Sequence, residues 1–334
     1  MRIAEVNLRL VCFLLEGGAC AVSCTSRVVP VEVRPQENQE ATLDKPWIQP
    51  VILVHGFAST PAKSWGELDQ VLAEDGHLVT APQLPAYASV GERATELGQQ
   101  IDLALEEAEE LGYFAPKLHI IAHSMGGLDA RYAISSLGYE DRVATLVTIA
   151  TPHRGSPVAD LALDSSDKIT AFGVTDRAAT AISRYWGLPD ITEESARTAL
   201  RDLTVERARE FNRANPDAVG VTYDSWAGLS NPFASARPSD EKLCNVSDNF
   251  LPEERHRLPG RLLAPAVVAG GWFENVANDG VVPVASARWT GFSGCILSDH
   301  ISITQTQTET FNSTSFFRAM VDRLNENSDR IDAG

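Results

Sequence analysis

The run Ala122-His123-Ser124-Met125-Gly126-Gly127 sets a serine between an apolar, strand-like stretch, Leu118 to Ala122, and a helix-like stretch, Gly127 to Leu137. A hydroxyl carried on a sharp strand-to-helix turn stands clear of the backbone, and the strain of the turn demands small residues two positions to either side. Gly126 supplies the later small residue and Ala122 the earlier one, where glycine is the commoner choice. Such a serine becomes a nucleophile only when a histidine takes its proton and a carboxylate fixes that histidine's tautomer. The chemistry is then acyl transfer through a covalent acyl-enzyme, with the serine Oγ attacking a carboxylic ester.

This setting resembles the nucleophile elbow of α/β-hydrolases, in which the partners follow along the chain in the order serine, acid, histidine. Asn278-Asp279-Gly280 reads as a turn after a strand-like stretch, Leu262 to Gly270, and just before Val281-Val282-Pro283. An acid on a tight loop at a strand end meets the requirement, so Asp279 is the expected carboxylate. His300 is the only histidine downstream of it and is the expected base. His77, His119, His123 and His153 precede the acid, and His256 lies in a charged stretch, Glu253 to Arg257. Asp299 is adjacent to His300 and is expected to point elsewhere, while Asp240 and Asp248 fall in an irregular segment. His55-Gly56-Phe57 closes the first clear strand. The backbone N–H groups of Phe57 and Met125 are expected to form the oxyanion hole, each worth roughly 3 kcal/mol in the transition state. His55 is read as a structural histidine bracing that turn, and Gly56, Ala122, His123 and Gly126 as structural neighbours of the site.

The elements that must hold these residues alternate in type. Val51 to Val54 is a continuous apolar, β-branched run, as in a strand covered on both faces. A second strand is expected at His77 to Ala81. Glu92 to Leu111 carries Ala94, Leu97, Ile101, Leu105, Ala108 and Leu111 on one helical face, and Gly112 closes it. Val143 to Ala150 and Val219 to Trp226 read as further strands, and Ser315 to Leu324 as an amphipathic closing helix. Strands alternating with helices predict an α/β fold with a mostly parallel central sheet flanked by helices. Residues 157–215 interrupt the alternation with a helical insertion. At roughly 150 residues per domain the length of 334 would suggest two domains, but one α/β unit over residues 50–330 fits equally.

Composition narrows the classes further. With 44% hydrophobic and 22% charged residues the chain suits a globular fold with a large core. Its formal charge of −17 would repel nucleic acid and anionic membrane surfaces, so no nucleic-acid partner is expected. Residues 1–27 resemble a secretory signal: Arg2 and Arg9 precede the apolar Leu10 to Leu15, and small residues follow. Cys24, after Ala21-Val22-Ser23, faintly resembles a lipoprotein processing site, so a lipid-anchored or periplasmic location is the alternative to secretion. Residues 28–49 read as a linker or arm. Cys12, Cys20 and Cys24 fall in the leading segment, which leaves Cys244 and Cys295 as an even pair suited to one disulfide, or to two separate buried thiols.

Taken together, Val51 to Phe57, His123 to Tyr132, Thr151 to Asp160, Leu203-Thr204, Phe211-Asn212, Asn215-Pro216, Ser225 to Gly228 and Asn278 to Gly280 resemble the bacterial triacylglycerol lipases of the Pseudomonas and Burkholderia type, within the α/β-hydrolase superfamily. The Thr-Pro-His-Arg-Gly-Ser stretch is more specific than the elbow. The resemblance implies Ser124, Asp279 and His300 as a catalytic triad acting on long-chain acylglycerols at an interface, and residues 157–215 as a lid over an acyl-binding cleft. It also implies a dedicated folding chaperone and a structural calcium ion. A monomer is expected, and no cofactor is required. Carboxylesterase, polyester depolymerase or phospholipase activity on the same triad is the alternative, with the insertion as a fixed cap. The elbow variant Ala-His-Ser-Met-Gly is more typical of Bacillus-type lipases. The family's calcium site takes an aspartate two residues after the catalytic histidine, where this chain has Ser302. Loss of an anionic ligand weakens an all-oxygen site severely, so calcium is not expected to carry over, and no metal ligands are named.

Overall fold

Val51–Val54 (β1) consists of four apolar residues with no solvent exposure at all, a pattern that only a strand covered on both faces sustains. In the computed structural model this strand lies inside a six-stranded sheet of order β2-β1-β3-β4-β5-β6, with β2 at Val79–Thr80, β3 at Leu118–His123, β4 at Val143–Ile149, β5 at Thr222–Gly228 and β6 at Phe292–Ile296. Every pairing is parallel. The structure describes residues 46–163, 194–230, 244, 276–305 and 311–331, all within one compact unit.

The period-two alternation of side chains divides the core. Ile52, Val54, Ile120 and Ala122 pack under helices Val90–Glu110 (α3) and Gly126–Ser136 (α4). Val51, Leu53, Ile121, Val147 and Ile149 pack on the opposite side against Trp65, Leu68 and Leu72. Those three come from two short helices, Pro61–Trp65 (α1) and Leu68–Glu74 (α2). Phe317, Met320 and Val321 of the closing helix Ser313–Ile331 complete that side. A third apolar cluster sits around the site, where Phe57, Met125, Val158, Leu200, Leu203, Val281 and Val282 meet.

The chain steps outward from β1 to β2 and then crosses through α3 to β3 on the other side of β1, so the winding reverses between β1 and β3. Open parallel sheets bind ligands at the carboxyl ends of their strands at such a reversal. Ser124 follows β3 there and the Gly56–Phe57 turn follows β1.

Several boundaries differ from the sequence expectations. The helix expected from Glu92 begins at Val90, because Ser89 caps it: the Ser89 side chain accepts the Glu92 N–H while Glu92 reaches back to the Ser89 N–H. The second strand shrinks to Val79–Thr80. The strand expected from Val219 begins at Thr222, since Gly220 turns the chain with a φ of 86°. Short helices α1 and α2 and strand β6 were not expected at all. Residues 46–49, expected to close the arm, pair with the body instead: Ile48 donates to the Phe114 carbonyl, Phe114 to that of Pro46, and the Trp47 and Phe114 rings meet edge to face. The insertion is helical where it is described, at Pro157–Leu163 (α5), Glu194–Asp202 (α6) and Val205–Ala214 (α7). Residues 1–45 and 164–193, the strand expected at Leu262–Gly270, and His256, Asp240 and Asp248 lie outside the described residues.

Candidate active site

Ser124 takes a left-handed backbone conformation, φ 55°, which costs a non-glycine residue about 1–3 kcal/mol and persists only where the surroundings hold it. Its N–H donates to the Ile149 carbonyl of the neighbouring strand, and its own carbonyl accepts the Gly127 N–H in the first turn of α4. The tightness of this corner explains its small residues. A Cβ on Gly56 would lie 2.8 Å from Ser124 Cβ, and one on Gly126 would lie 2.9 Å from the carbonyl oxygens of Val54 and His55. Gly127 has even less room, with Thr151 Oγ1 at 2.2 Å from such a carbon. Ala122 is fully buried in β3.

The Ser124 Oγ is 2.9 Å from His300 Nε2, and His300 Nδ1 is 2.7 Å from Asp279 Oδ2. The other carboxylate oxygen of Asp279 accepts the N–H groups of Val281 (2.9 Å) and Val282 (2.7 Å), so both oxygens of this fully buried carboxylate have a partner. The turn carrying it is clasped from outside: Asn278 Oδ1 accepts the Gly280 N–H, and the Asn278 carbonyl accepts the Ser230 N–H. It rests on the end of β5, where a Cβ on Gly228 would lie 2.6 Å from Asp279 Cβ. His300 donates its backbone N–H to the Asp279 carbonyl. The structure therefore joins Ser124, His300 and Asp279 in one hydrogen-bonded chain spanning three separate loops. Asp299 does point elsewhere, with its Oδ1 accepting the N–H groups of Ile301 and Ser302.

His123 is buried beside this chain and donates from Nε2 to the His300 carbonyl, 2.9 Å away. Burial, and then the nearby His300, push its pKa down to about 3, so it stays neutral. His55 braces its turn as expected: Nε2 accepts the Leu84 N–H at 3.0 Å, which leaves Nδ1–H to donate to the Gly56 carbonyl. Burial, reinforced by the charge of Arg93, lowers it to about 4. His153 is turned away from Ser124, stacked on Trp289 and hydrogen-bonded to Thr148.

Phe57 and Ser124 line one cavity of about 260 Å³ together with Gly56, His123 and His300. Met125 has its side chain wholly in the core and stands at the start of α4, where helical amides have no intrahelical acceptor.

Two arginines at the site escaped the sequence reading. Arg93 is completely buried and donates to Asp129 Oδ2 (2.8 Å), the Pro85 carbonyl and the His55 carbonyl (both 2.7 Å), tying the turn after β1 to α4. The signal was legible: Val90, Arg93, Ala94 and Leu97 sit at helical spacings on the inward face of α3, so a cation there must be buried and bonded. Arg131, also buried, donates to Asn212 Oδ1 and the Asn215 carbonyl and lies 4.0 Å over the Trp289 ring. It thereby pins α7 to α4. Cys244 and Cys295 form a disulfide.

Comparison with known proteins bears on the family and the fold. Residues 51–296 match the profile of the alpha/beta hydrolase family. Triacylglycerol lipase 2 of Saccharomyces cerevisiae is 26% identical over 241 residues, covering 72% of this chain and 61% of that protein. A triacylglycerol lipase of Burkholderia plantarii is 32% identical over 178 residues, covering 51% of this chain and 48% of its own. The chain thus spans between about half and three-fifths of the length of these relatives. Among solved structures, the mature Bacillus licheniformis lipase BlEst2 superposes with a TM-score of 0.57 at 18% identity, over 84% of this chain and 92% of that one.

Proposed function

Because the chain belongs to the alpha/beta hydrolase family, we propose that it is a serine ester hydrolase, and specifically a triacylglycerol lipase of the Pseudomonas and Burkholderia type. The observation that carries the reading is the bonded order Ser124–His300–Asp279 with the acid's second oxygen saturated by Val281 and Val282. In this mechanism His300 Nε2 takes the Ser124 proton as Oγ attacks the ester carbonyl, and the Phe57 and Met125 amides receive the oxyanion. Asp279 holds the tautomer and stabilises the imidazolium. His300 then protonates the departing alcohol, and water enters by the same route to free the carboxylic acid. A neutral His123 anchors the His300 backbone without competing for the proton.

Calcium plays no part in this mechanism. Ser302 stands where the family resemblance implies an aspartate ligand, and Asp299 Oδ1 in the same turn is engaged by two backbone N–H groups. Among the described residues no three His, Cys, Asp or Glu side chains are grouped to hold a metal. As described, this turn lacks the anionic ligand that the resemblance implies at residue 302. The Cys244–Cys295 disulfide supports secretion into an oxidising compartment.

The described part of the insertion supports a fixed roof rather than a flap. Ser156 donates to the Leu203 carbonyl, Val90 to Asp202, Val205 to Asp160, and Arg131 to Asn212 and Asn215. These bonds favour a second reading, a carboxylesterase for smaller soluble esters. The deciding experiment is hydrolysis of emulsified long-chain triacylglycerol against a dissolved short-chain ester, for the parent and Ser124→Ala. Activity that rises above the solubility limit and vanishes in the variant supports the lipase; activity confined to the dissolved ester supports the carboxylesterase. A variant as active as its parent overturns both.

A further inference from the structure

The lining of the cavity divides into two groups, each held together by its own hydrogen bonds. Leu203, Val281 and Val282 belong with Ser156, whose N–H donates to the Leu203 carbonyl and whose hydroxyl donates to that of Val281 at 2.7 Å. That group is apolar. Ser59, Lys63 and Ser64 come from the opposite source, the turn after β1 and helix α1, which Thr304 and Gln305 fasten through the carbonyls of Ser64, Ala62 and Lys63. That group is polar: the Ser59 and Ser64 hydroxyls are 2.8 Å apart, and among the described residues Lys63 is the one lysine or arginine lining the cavity. Among the described residues the Lys63 ammonium has no carboxylate partner. Lys63 is solvent-exposed at the cavity that holds Ser124, and in a chain of formal charge −17 its ammonium is open to an anion brought by the substrate.

An ester with a fatty acyl chain presents one apolar and one polar arm on either side of its carbonyl. We propose that the polar group built from Ser59, Lys63 and Ser64 is an alcohol-side subsite that selects acyl esters whose alcohol carries an anionic group, such as an acylglycerol phosphate. The apolar group around Leu203, Val281 and Val282 receives the acyl chain. This rests on the ester-hydrolase reading above and specifies its substrate class. The chemistry is unchanged: water cleaves the acyl–oxygen bond, and the phosphate stays on the departing alcohol.

The test compares monooleoylglycerol with its 3-phosphate, each in neutral detergent micelles, by oleate release from the parent, Lys63→Gln and Ser124→Ala. The expected result is a fall in kcat/KM for the phosphate of roughly threefold to fivefold in Lys63→Gln, the size of one exposed charged contact, with the neutral ester changed less than twofold. Equal losses on both substrates, or none on either, overturn the subsite. Two further arms locate the charge. A soluble 4-nitrophenyl ester with a carboxylate at the far end of its acyl chain should respond to Lys63→Gln no more than its uncharged analogue; a selective loss there places the anion on the acyl side and overturns the assignment. If doping the micelles with a non-hydrolysable anionic lipid accelerates the neutral ester in the parent but not in Lys63→Gln, Lys63 reads the surface, and the subsite is again overturned. Turnover of neither oleoyl ester nor 4-nitrophenyl ester by the parent would instead refute the hydrolase reading itself.

Discussion

Replacing Asp279 by asparagine should cost nearly all of the turnover while leaving the fold in place, and the reason lies in the two different jobs of the two carboxylate oxygens. Oδ1 accepts the N–H groups of Val281 and Val282 at 2.9 and 2.7 Å. An asparagine with its NH₂ in that position would face two buried donors, each left unsatisfied at about 1–3 kcal/mol. The amide oxygen must therefore take the Oδ1 place. Its NH₂ then occupies the Oδ2 place, 2.7 Å from His300 Nδ1, where the aspartate accepts a hydrogen bond. A donor there turns His300 Nδ1 into an acceptor and moves the ring proton to Nε2. Nε2–H then points at Ser124 Oγ, 2.9 Å away, and has no lone pair to take the serine proton. The same tautomer reversal in a serine hydrolase of known mechanism lowers kcat by about 10⁴, equivalent to about 5.5 kcal/mol in the barrier. Since Asp279 is fully buried and not among the cavity-lining residues, KM should stay within about threefold of the parent's. Steady-state kinetics on a dissolved short-chain ester, with thermal unfolding as a check on folding, measures both quantities. A kcat within tenfold of the parent's would refute the tautomer argument and the role of Asp279 with it.

Three further outcomes are expected. Gly56→Ala places a methyl 2.8 Å from Ser124 Cβ and must displace either the elbow or the turn after β1, so kcat should fall about 100-fold on any ester; unaltered kinetics would mean the corner is looser than described. Buried His55, His119 and His123 have pKa values lowered to about 4, 4 and 3 from 6.5, so the unfolded chain binds more protons and stability drains away as pH falls from 6.5 towards those values. Each contributes about 2 kcal/mol of loss at pH 5, and His119→Gln should flatten the dependence of unfolding free energy by about 1.4 kcal/mol per pH unit over that range, read from denaturant titrations. The disulfide closes a loop with a sequence separation of 51, for which chain entropy gives about 4 kcal/mol, or a fall in Tm of roughly 6 °C on reduction; no change with reductant in a scanning experiment would contradict it.

Local chemistry made much of this protein legible in one dimension. The apolar run Val51 to Val54, the helical stripe of α3 and the serine between strand and helix are statements about neighbours in sequence, and each follows from a period or from the steric demand of a turn. His300 was singled out because it alone follows the acid. Residues joined across the chain behave otherwise. His123 and His300 are 177 positions apart and Arg154 bonds carbonyls near position 285, and nothing in their spacing announces it. Strand β6, five residues with an internal glycine, earns its place by pairing with β5 rather than by its own propensity. Arg93 is an exception that could have been read, as a charge on an inward helical face. That it would meet the His55 carbonyl could not, because that group sits on a turn nearly forty residues away that only the winding of the sheet brings beside it. The sequence by itself determined which groups can react and the elements that carry them, since both depend on bonds and contacts within a few residues. Their 2.7–2.9 Å spacing was decided by the tertiary structure, because hydrogen-bond geometry between distant loops exists only once the sheet order and the packing beneath it hold them still.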